Sequence, residues 1–230
     1  MNIIKKKLLS ALEKNLAKEA TVLDIRYWYQ KELVEIDLHV PDLRPQEWQS
    51  APRMKIRVAP GVYRDYSPTM WDEETCTCSL IINVAHGGIG AQWALGLQKG
   101  DLLLYLGIAS TAHKTPAPGL ICIGDESSLA HFLAIQQLMG ISSAALTGAI
   151  CFTKPQHVQE YREYIQSPLV PLYLKKKDDI DTLREYLDQL KPKQHTIYLA
   201  GGSRLVVEAK KHLRNSSQFQ GSIKSQGFWK

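Results

Sequence analysis

The feature that most constrains this chain is a change of hydrophobic period near residue 120. Beyond it, LICIG, ALTGAICF, PLVPLYL, HTIYLAGG and SIKSQGFW are each short enough for a strand, and the stretches at about 127–139, 156–166, 178–190 and 203–215 have helical spacing. Strand and helix in strict alternation predict an α/β domain over 120–230 with a doubly wound parallel sheet, because parallel neighbours need a crossover and a helix supplies it. Such sheets hold ligands beyond the carboxyl ends of their strands. The preceding half is different. Thr21–Gln30, Glu32–Val40, Met54–Val58, Cys76–Ala85 and Asp101–Leu106 alternate partly with period two; Pro41, Pro45, Pro60 and Gly61 punctuate them, and only Ala91–Leu97 reads as helix, before Lys99-Gly100-Asp101. A small antiparallel β-barrel over 20–110 is predicted. Thr111–Gly119, rich in proline, small and polar residues, reads as a linker. At the start, Ile4, Leu8, Leu12 and Leu16 recur every four residues, so 1–19 is expected to be an amphipathic helix docked on the body.

Composition excludes several classes. With 230 residues, 44% hydrophobic and 22% charged, the chain is too apolar for global disorder. No apolar run approaches the roughly 18 residues of a membrane-spanning helix. Lys5, Lys6 and Lys7 are followed by neither a long apolar core nor a small-residue cleavage site, so a cytoplasmic protein, expected to be monomeric, is the reading. Cys76, Cys78, Cys122 and Cys151 lack the CxxC spacing of a zinc site; no metal is expected, and Cys76 and Cys78 are read as reduced thiols on one strand face. The net charge of +5 asks for an anionic partner. A nucleic-acid-binding module is one candidate, but the cations read as dispersed over both halves and no aromatics interleave with them.

Two motifs carry chemistry in the first half. Arg64-Asp65-Tyr66-Ser67-Pro68 places a guanidinium fork and an aromatic plane on one side of an extended segment, with a hydroxyl beside them. Farther on, Asn83-Val84-Ala85-His86-Gly87-Gly88-Ile89-Gly90-Ala91-Gln92-Trp93-Ala94 is a glycine-rich turn leading from a strand into a helix, whose exposed N–H groups and dipole suit a pyrophosphate. Either could be a plain loop by itself; their order on a barrel ahead of a doubly wound domain favours a binding role.

The barrel, these two motifs, the linker, LICIGDESSLAHFL and the terminal GFWK together resemble the siderophore-interacting proteins, a branch of the ferredoxin reductase superfamily, from about residue 20 onward. The most family-specific pieces are the Gly124-Asp125-Glu126 turn, the loop from His86 to Trp93 and the aromatic terminus Phe228-Trp229. The resemblance implies FAD on the barrel, hydride from NADH or NADPH, and a ferric siderophore as acceptor. By position, Arg64 would contact the FAD pyrophosphate, Tyr66 would lie against the isoalloxazine, and Ser67, followed by Pro68, would bond near flavin N5 or O4. Val84, Ala85 and His86 would line the adenosine side, and Gly90, Ala91, Gln92 and Trp93 would hold the phosphates. Family members tend to have Pro-Ala-Ser in that loop; this chain lacks the hydroxyl, leaving backbone N–H groups to do its work. Gly124, Asp125, Glu126 and Ser127 would face the nicotinamide, with Gly201 and Gly202 in the same cleft, although acids at a helix start also cap it in any α/β protein. Phe228 and Trp229 would sit by the flavin, with packing as the plain alternative.

Lys154 follows the second strand of this domain, where an NAD-selective site would place an acid; a cation suits a 2′-phosphate, so NADPH is favoured over NADH. Redox chemistry would belong to the flavin, and no catalytic acid or base is nominated. His39, His113, His131, His157, His195 and His212 are read as surface or packing residues. Arg53, Lys55 and Arg57 alternate with Met54, Ile56 and Val58, forming a cationic strand face that could receive an anionic ferric siderophore or simply be solvated. Free flavin, a quinone or a protein are the alternative acceptors.

Overall fold

The computed structural model describes residues 17–48, 50–110, 119–140, 146–175, 180–190, 195–217 and 219–229. The chain divides into two compact units, Met1–His113 and Lys114–Lys230. The linker at 111–118 and the N-terminal helix up to residue 16 lie outside the described residues. Lys18 and Glu19, assigned to that helix from sequence, instead begin the first strand, where they pair with Tyr105 and Leu104.

The first unit is an antiparallel sheet of seven strands: β1 (Lys18–Tyr27), β2 (Leu33–His39), β3 (Pro52–Ala59), β4 (Val62–Tyr66), β5 (Thr69–Asp72), β6 (Thr77–Asn83) and β7 (Leu102–Ser110), in the order β4-β3-β7-β1-β2-β6-β5. One helix, α1 (Ile89–Gly96), packs against both β3 and β6. Those strands stand next to opposite ends of the sheet, so a single helix touching both requires the sheet to curl around it. Alternation explains the core. Met54, Ile56 and Val58 on β3, and Leu80 and Ile82 on β6, point inward with Val34, Ile36 and Leu38 of β2. Cys76 is not on a strand: it ends the turn before β6 at φ 53°, half-buried, while Cys78 is fully buried in the core. The expected pair on one strand face is therefore absent, because the turn of residues 73–76 supplies the first of the two.

The second unit is a parallel sheet of β8 (Leu120–Asp125), β9 (Leu146–Phe152), β10 (Val170–Tyr173), β11 (Thr196–Gly202) and β12 (Ser222–Trp229), in the order β10-β9-β8-β11-β12. Helices α2 (Leu129–Met139), α3 (Pro155–Tyr164), α4 (Asp181–Leu190) and α5 (Ser203–Asn215) make the crossovers. The chain starts in the middle, winds outward through β9 and β10, and returns to the other side of β8 as β11. The strand order reverses between β8 and β11, which puts the switch point of a doubly wound sheet there. β8, β9 and β11 are buried almost throughout, as strands covered on both faces must be. Among the described residues no helix is long and apolar enough to cross a membrane.

The positive surplus is not dispersed. The first unit has thirteen Lys and Arg against thirteen Asp and Glu, and the second has fifteen against ten, so the whole +5 belongs to the second. From residue 191 onward there are eight cations and a single acid, Glu208.

Candidate functional site

In the first unit, β4 and α1 bring Arg64, Tyr66 and Gly90 together. A Cβ built on Gly90 would run into the Tyr66 hydroxyl and stand 3.6 Å from Arg64 Cγ, so a side chain at the second residue of α1 would displace Tyr66. Gly88 is the N-cap and offers no side chain to the first turn. The early N–H groups of α1 are thus left for an outside acceptor, with the Tyr66 hydroxyl and the Arg64 stem beside them, and the Arg64 guanidinium donates from Nη1 to Tyr63 O at 2.8 Å. This is the shape of an anion cradle, and a pyrophosphate fits it: phosphate oxygens need donors and positive charge, and all three sources supply them. No serine or threonine stands at this cap.

The loop into α1 is built from local bonds. The Asn83 side chain accepts from Ala85 N at 3.0 Å, His86 Nδ1 accepts from Gly88 N at 3.0 Å, and Gly87 N donates to Val84 O at 3.1 Å. His86 Nδ1 is therefore an acceptor in this arrangement. Val84 itself is buried in the core, so its side chain faces away from any ligand, whereas Ala85, His86 and Gln92 are exposed. The Tyr66 ring stacks on Trp93 with centroids 5.7 Å apart and planes 18° from parallel, a partner that sequence reasoning had assigned only to phosphate. Burial pushes the Tyr66 hydroxyl up to about 12, with the Arg64 charge opposing, so it stays a neutral donor. Ser67 is half-buried and Pro68 buried at the end of the motif.

The cationic face of β3 does not join this group. Register pairs Met54 with Tyr66 and Ile56 with Arg64, and paired residues share a face, so Arg53, Lys55 and Arg57 project from the opposite side. Lys55 is held there by Asp65 at 2.9 Å.

In the second unit the carboxyl ends of β8, β9 and β11 are laced by two acids. Asp125 Oδ1 accepts from Ser127 N at 3.0 Å and from Ser127 Oγ at 2.5 Å, and its Oδ2 accepts from Gly202 N at 2.8 Å. Gly201, at φ 121°, lies so close to this carboxylate that a side chain there would collide with it. The enclosure pushes the Asp125 carboxyl up, and the bonds from Ser127 and Gly202 pull it back. Asp125 thus caps the turn after β8 and ties it to β11 at the switch point. Glu126 turns the other way and accepts from Thr153 N at 2.7 Å and Thr153 Oγ1 at 3.0 Å, beyond the end of β9. His157, almost fully buried, places Nδ1 3.8 Å from the same oxygen. Lys154 is the N-cap of α3.

The structure brings Gly124, Asp125, Glu126, Ser127, Gly201 and Gly202 to one edge, with Lys154 at the corner beside them. Phe228 on β12 sits edge-on to His131, centroids 5.6 Å apart. His131 is not a simple packing residue: its Nε2 lies 2.9 Å from the Tyr198 hydroxyl, which donates to Gln226 Oε1 at 2.8 Å, forming a polar chain from α2 through β11 to β12. The side chain of Trp229 lies outside the described residues, as does His113. Sequence reasoning missed Thr153 and His157 as partners of Glu126, because the acid comes from one strand and its partners from another. Among the described residues no group of three or more His, Cys, Asp and Glu could hold a metal ion.

No protein-family model and no curated protein sequence matches the chain. Solved structures do. It is similar to the siderophore-interacting protein SipS from Aeromonas hydrophila, 18% identical over 93% of this chain and 91% of that one, with a TM-score of 0.70. The siderophore-interacting protein from Acinetobacter baumannii is 13% identical over 93% and 90%, TM-score 0.71. A ferredoxin-NADP+ reductase from Plasmodium falciparum is 10% identical over 91% and 96%, TM-score 0.67. The chain therefore has the fold these proteins share, an antiparallel sheet domain followed by a doubly wound parallel one.

Proposed function

We propose that this protein is a flavin-dependent oxidoreductase that draws electrons from a nicotinamide nucleotide and delivers them to a ferric siderophore. The observation that carries the reading is the meeting of Arg64 and Tyr66 at Gly90, at the uncapped start of α1, on a fold shared with siderophore-interacting proteins and a ferredoxin-NADP+ reductase. In this reading FAD is held in the first unit. Bound there, it supplies hydride acceptance and one-electron delivery, chemistry that no side chain provides. Arg64 and the α1 N–H groups neutralise its pyrophosphate, and Tyr66, kept flat by Trp93, offers a ring for the isoalloxazine. Ser67 adds a hydroxyl at the flavin edge.

The second unit takes the nicotinamide nucleotide at the ends of β8 and β11. Asp125 holds the turn in shape against Gly201 and Gly202, and Phe228 supplies an aromatic face. Lys154 meets a 2′-phosphate, which makes NADPH the preferred donor. Hard oxygen ligands hold Fe(III) far better than Fe(II), so reduction releases the metal. The four free thiols suit the cytoplasm, where we place the protein.

A second acceptor class is favoured by one observation. Since Arg53, Lys55 and Arg57 face away from Arg64 and Tyr66, an anionic chelate gains nothing from them at the flavin, and a neutral acceptor such as a quinone would serve as well. Purified protein should be yellow or take up added FAD. Stopped-flow bleaching by NADPH and by NADH, followed by reoxidation with ferric siderophores and with quinones, ranks the partners. A protein that takes up no FAD refutes the reading, and faster reoxidation by quinones moves it to the second class.

A further inference from the structure

Glu126 is a buried carboxylate whose hydrogen bonds leave its own turn. It reaches from the end of β8 to the corner after β9 and accepts both the backbone N–H and the hydroxyl of Thr153. Thr153 is followed by Lys154, the extended N-cap residue of α3, which makes no side-chain cap, and by Pro155 in the first turn. No side chain caps α3, and Glu126 instead grips the residue before its N-cap from another strand, with its negative charge near the helix N-terminus where the dipole favours it. His157, in the first turn of α3, closes the far side.

A lysine is a flexible point charge, so what it selects depends on where its backbone root is held. Lys154 directly follows Thr153, whose backbone N–H and hydroxyl are both held by Glu126. We propose that Glu126 is a positioning residue for recognition of the adenosine 2′-phosphate: by gripping Thr153 at two points it sets the corner from which Lys154 meets that group. The inference rests on the nicotinamide-nucleotide reading above and adds the residue that makes its selectivity possible.

The test is calorimetric titration of the full chain with 2′,5′-ADP and with 5′-ADP, compared between wild type, Glu126→Ala, Glu126→Gln, Thr153→Val and Lys154→Met. Wild type should prefer 2′,5′-ADP by about tenfold, the worth of one charged contact, and Lys154→Met should abolish the preference. Glu126→Ala should lose most of the preference, weakening 2′,5′-ADP by a larger factor than 5′-ADP. Glu126→Gln, whose amide oxygen still accepts from Thr153, should keep it. Thr153→Val removes one of the two bonds and should give an intermediate ratio, and it decides the matter if Glu126→Ala does not fold. An unchanged ratio in Glu126→Ala or Thr153→Val, equal losses for both nucleotides, or loss in Glu126→Gln overturns the proposal. Wild type that binds both nucleotides equally overturns it while the reductase reading stands; wild type that binds neither removes the nucleotide reading as well.

Discussion

Replacing Asp125 by asparagine changes one atom and should unsettle the switch point of the second unit. Its carboxylate meets three donors, two from Ser127 on Oδ1 and Gly202 N–H on Oδ2. Asparagine has one acceptor oxygen. Whichever way the amide turns, its NH2 group confronts a donor, so at least one bond to a charged acceptor is lost and two N–H groups are set face to face. A bond of that kind contributes about 1.5–3 kcal/mol, so the deficit at pH 7 should be about 2 kcal/mol, or roughly 8 °C in the melting of a unit this size. The pH dependence is the sharper test. Burial holds the Asp125 carboxyl above the ordinary carboxylate range, so the folded chain keeps a proton that the unfolded chain has already released. That contribution is fully present below the ordinary carboxylate range and is lost as pH rises through the raised value. Asparagine has no such term. The deficit of Asp125→Asn should therefore be largest near pH 4, shrink as pH rises, and level off above the raised value. Calorimetric melting of both proteins across that range, taken as a difference, cancels every other titrating group. A deficit that grows with pH would refute the reasoning, since it would mean that the bonds outweigh the enclosure.

Arg64→Ala should weaken FAD binding by tenfold or more, and Tyr66→Phe, which keeps the ring, by about fivefold; flavin fluorescence titration reads both, and an unchanged Arg64→Ala refutes the cradle. Gly90→Ala gains up to about 1 kcal/mol of helix propensity but pushes its methyl into the Tyr66 hydroxyl, so the apoprotein should melt at an equal or higher temperature while FAD affinity falls. A thiol reagent should modify Cys76 in the native chain and spare the others: Cys78 is buried with its thiol pushed up to about 12, and burial raises Cys122 and Cys151 as well. Rapid native labelling of more than one thiol would contradict that core.

Much of this architecture was legible because local pattern and global fold agree. The alternation beyond residue 120 became β8 to β12 with their crossovers, since each buried strand there is a short apolar run between helix starts. The second half of the sheet domain was harder. β4 and β5 are short, with a bulge at Met70 and Trp71, and do not stand out as period-two runs. The start of β1 reads as helix from sequence because Lys18 and Glu19 carry no apolar signal of a strand; pairing with β7 holds them extended. At the candidate site, Arg64, Tyr66 and Gly90 were each visible, but their crossing depends on how β4 approaches α1, which no spacing encodes. Likewise the β3 cations were seen as one face, yet which face emerges only from register with β4. Glu126 reads from sequence as a helix cap; that it grips Thr153 ahead of α3 instead depends on the pairing of β8 with β9.

The uneven charge of the two units makes them different polyelectrolytes. The first is balanced, so whatever anion it holds must be kept by contacts a few ångströms long, which dissolved ions hardly reach. The second, with its excess of cations from residue 191 onward, also attracts anions from a distance, and that reach shrinks to about 8 Å at physiological ionic strength. In the reading proposed above, added salt should then slow the arrival of a nucleotide at the second unit while leaving flavin retention by the first nearly untouched, so that the ionic medium alone sets how often the loaded protein meets its reductant.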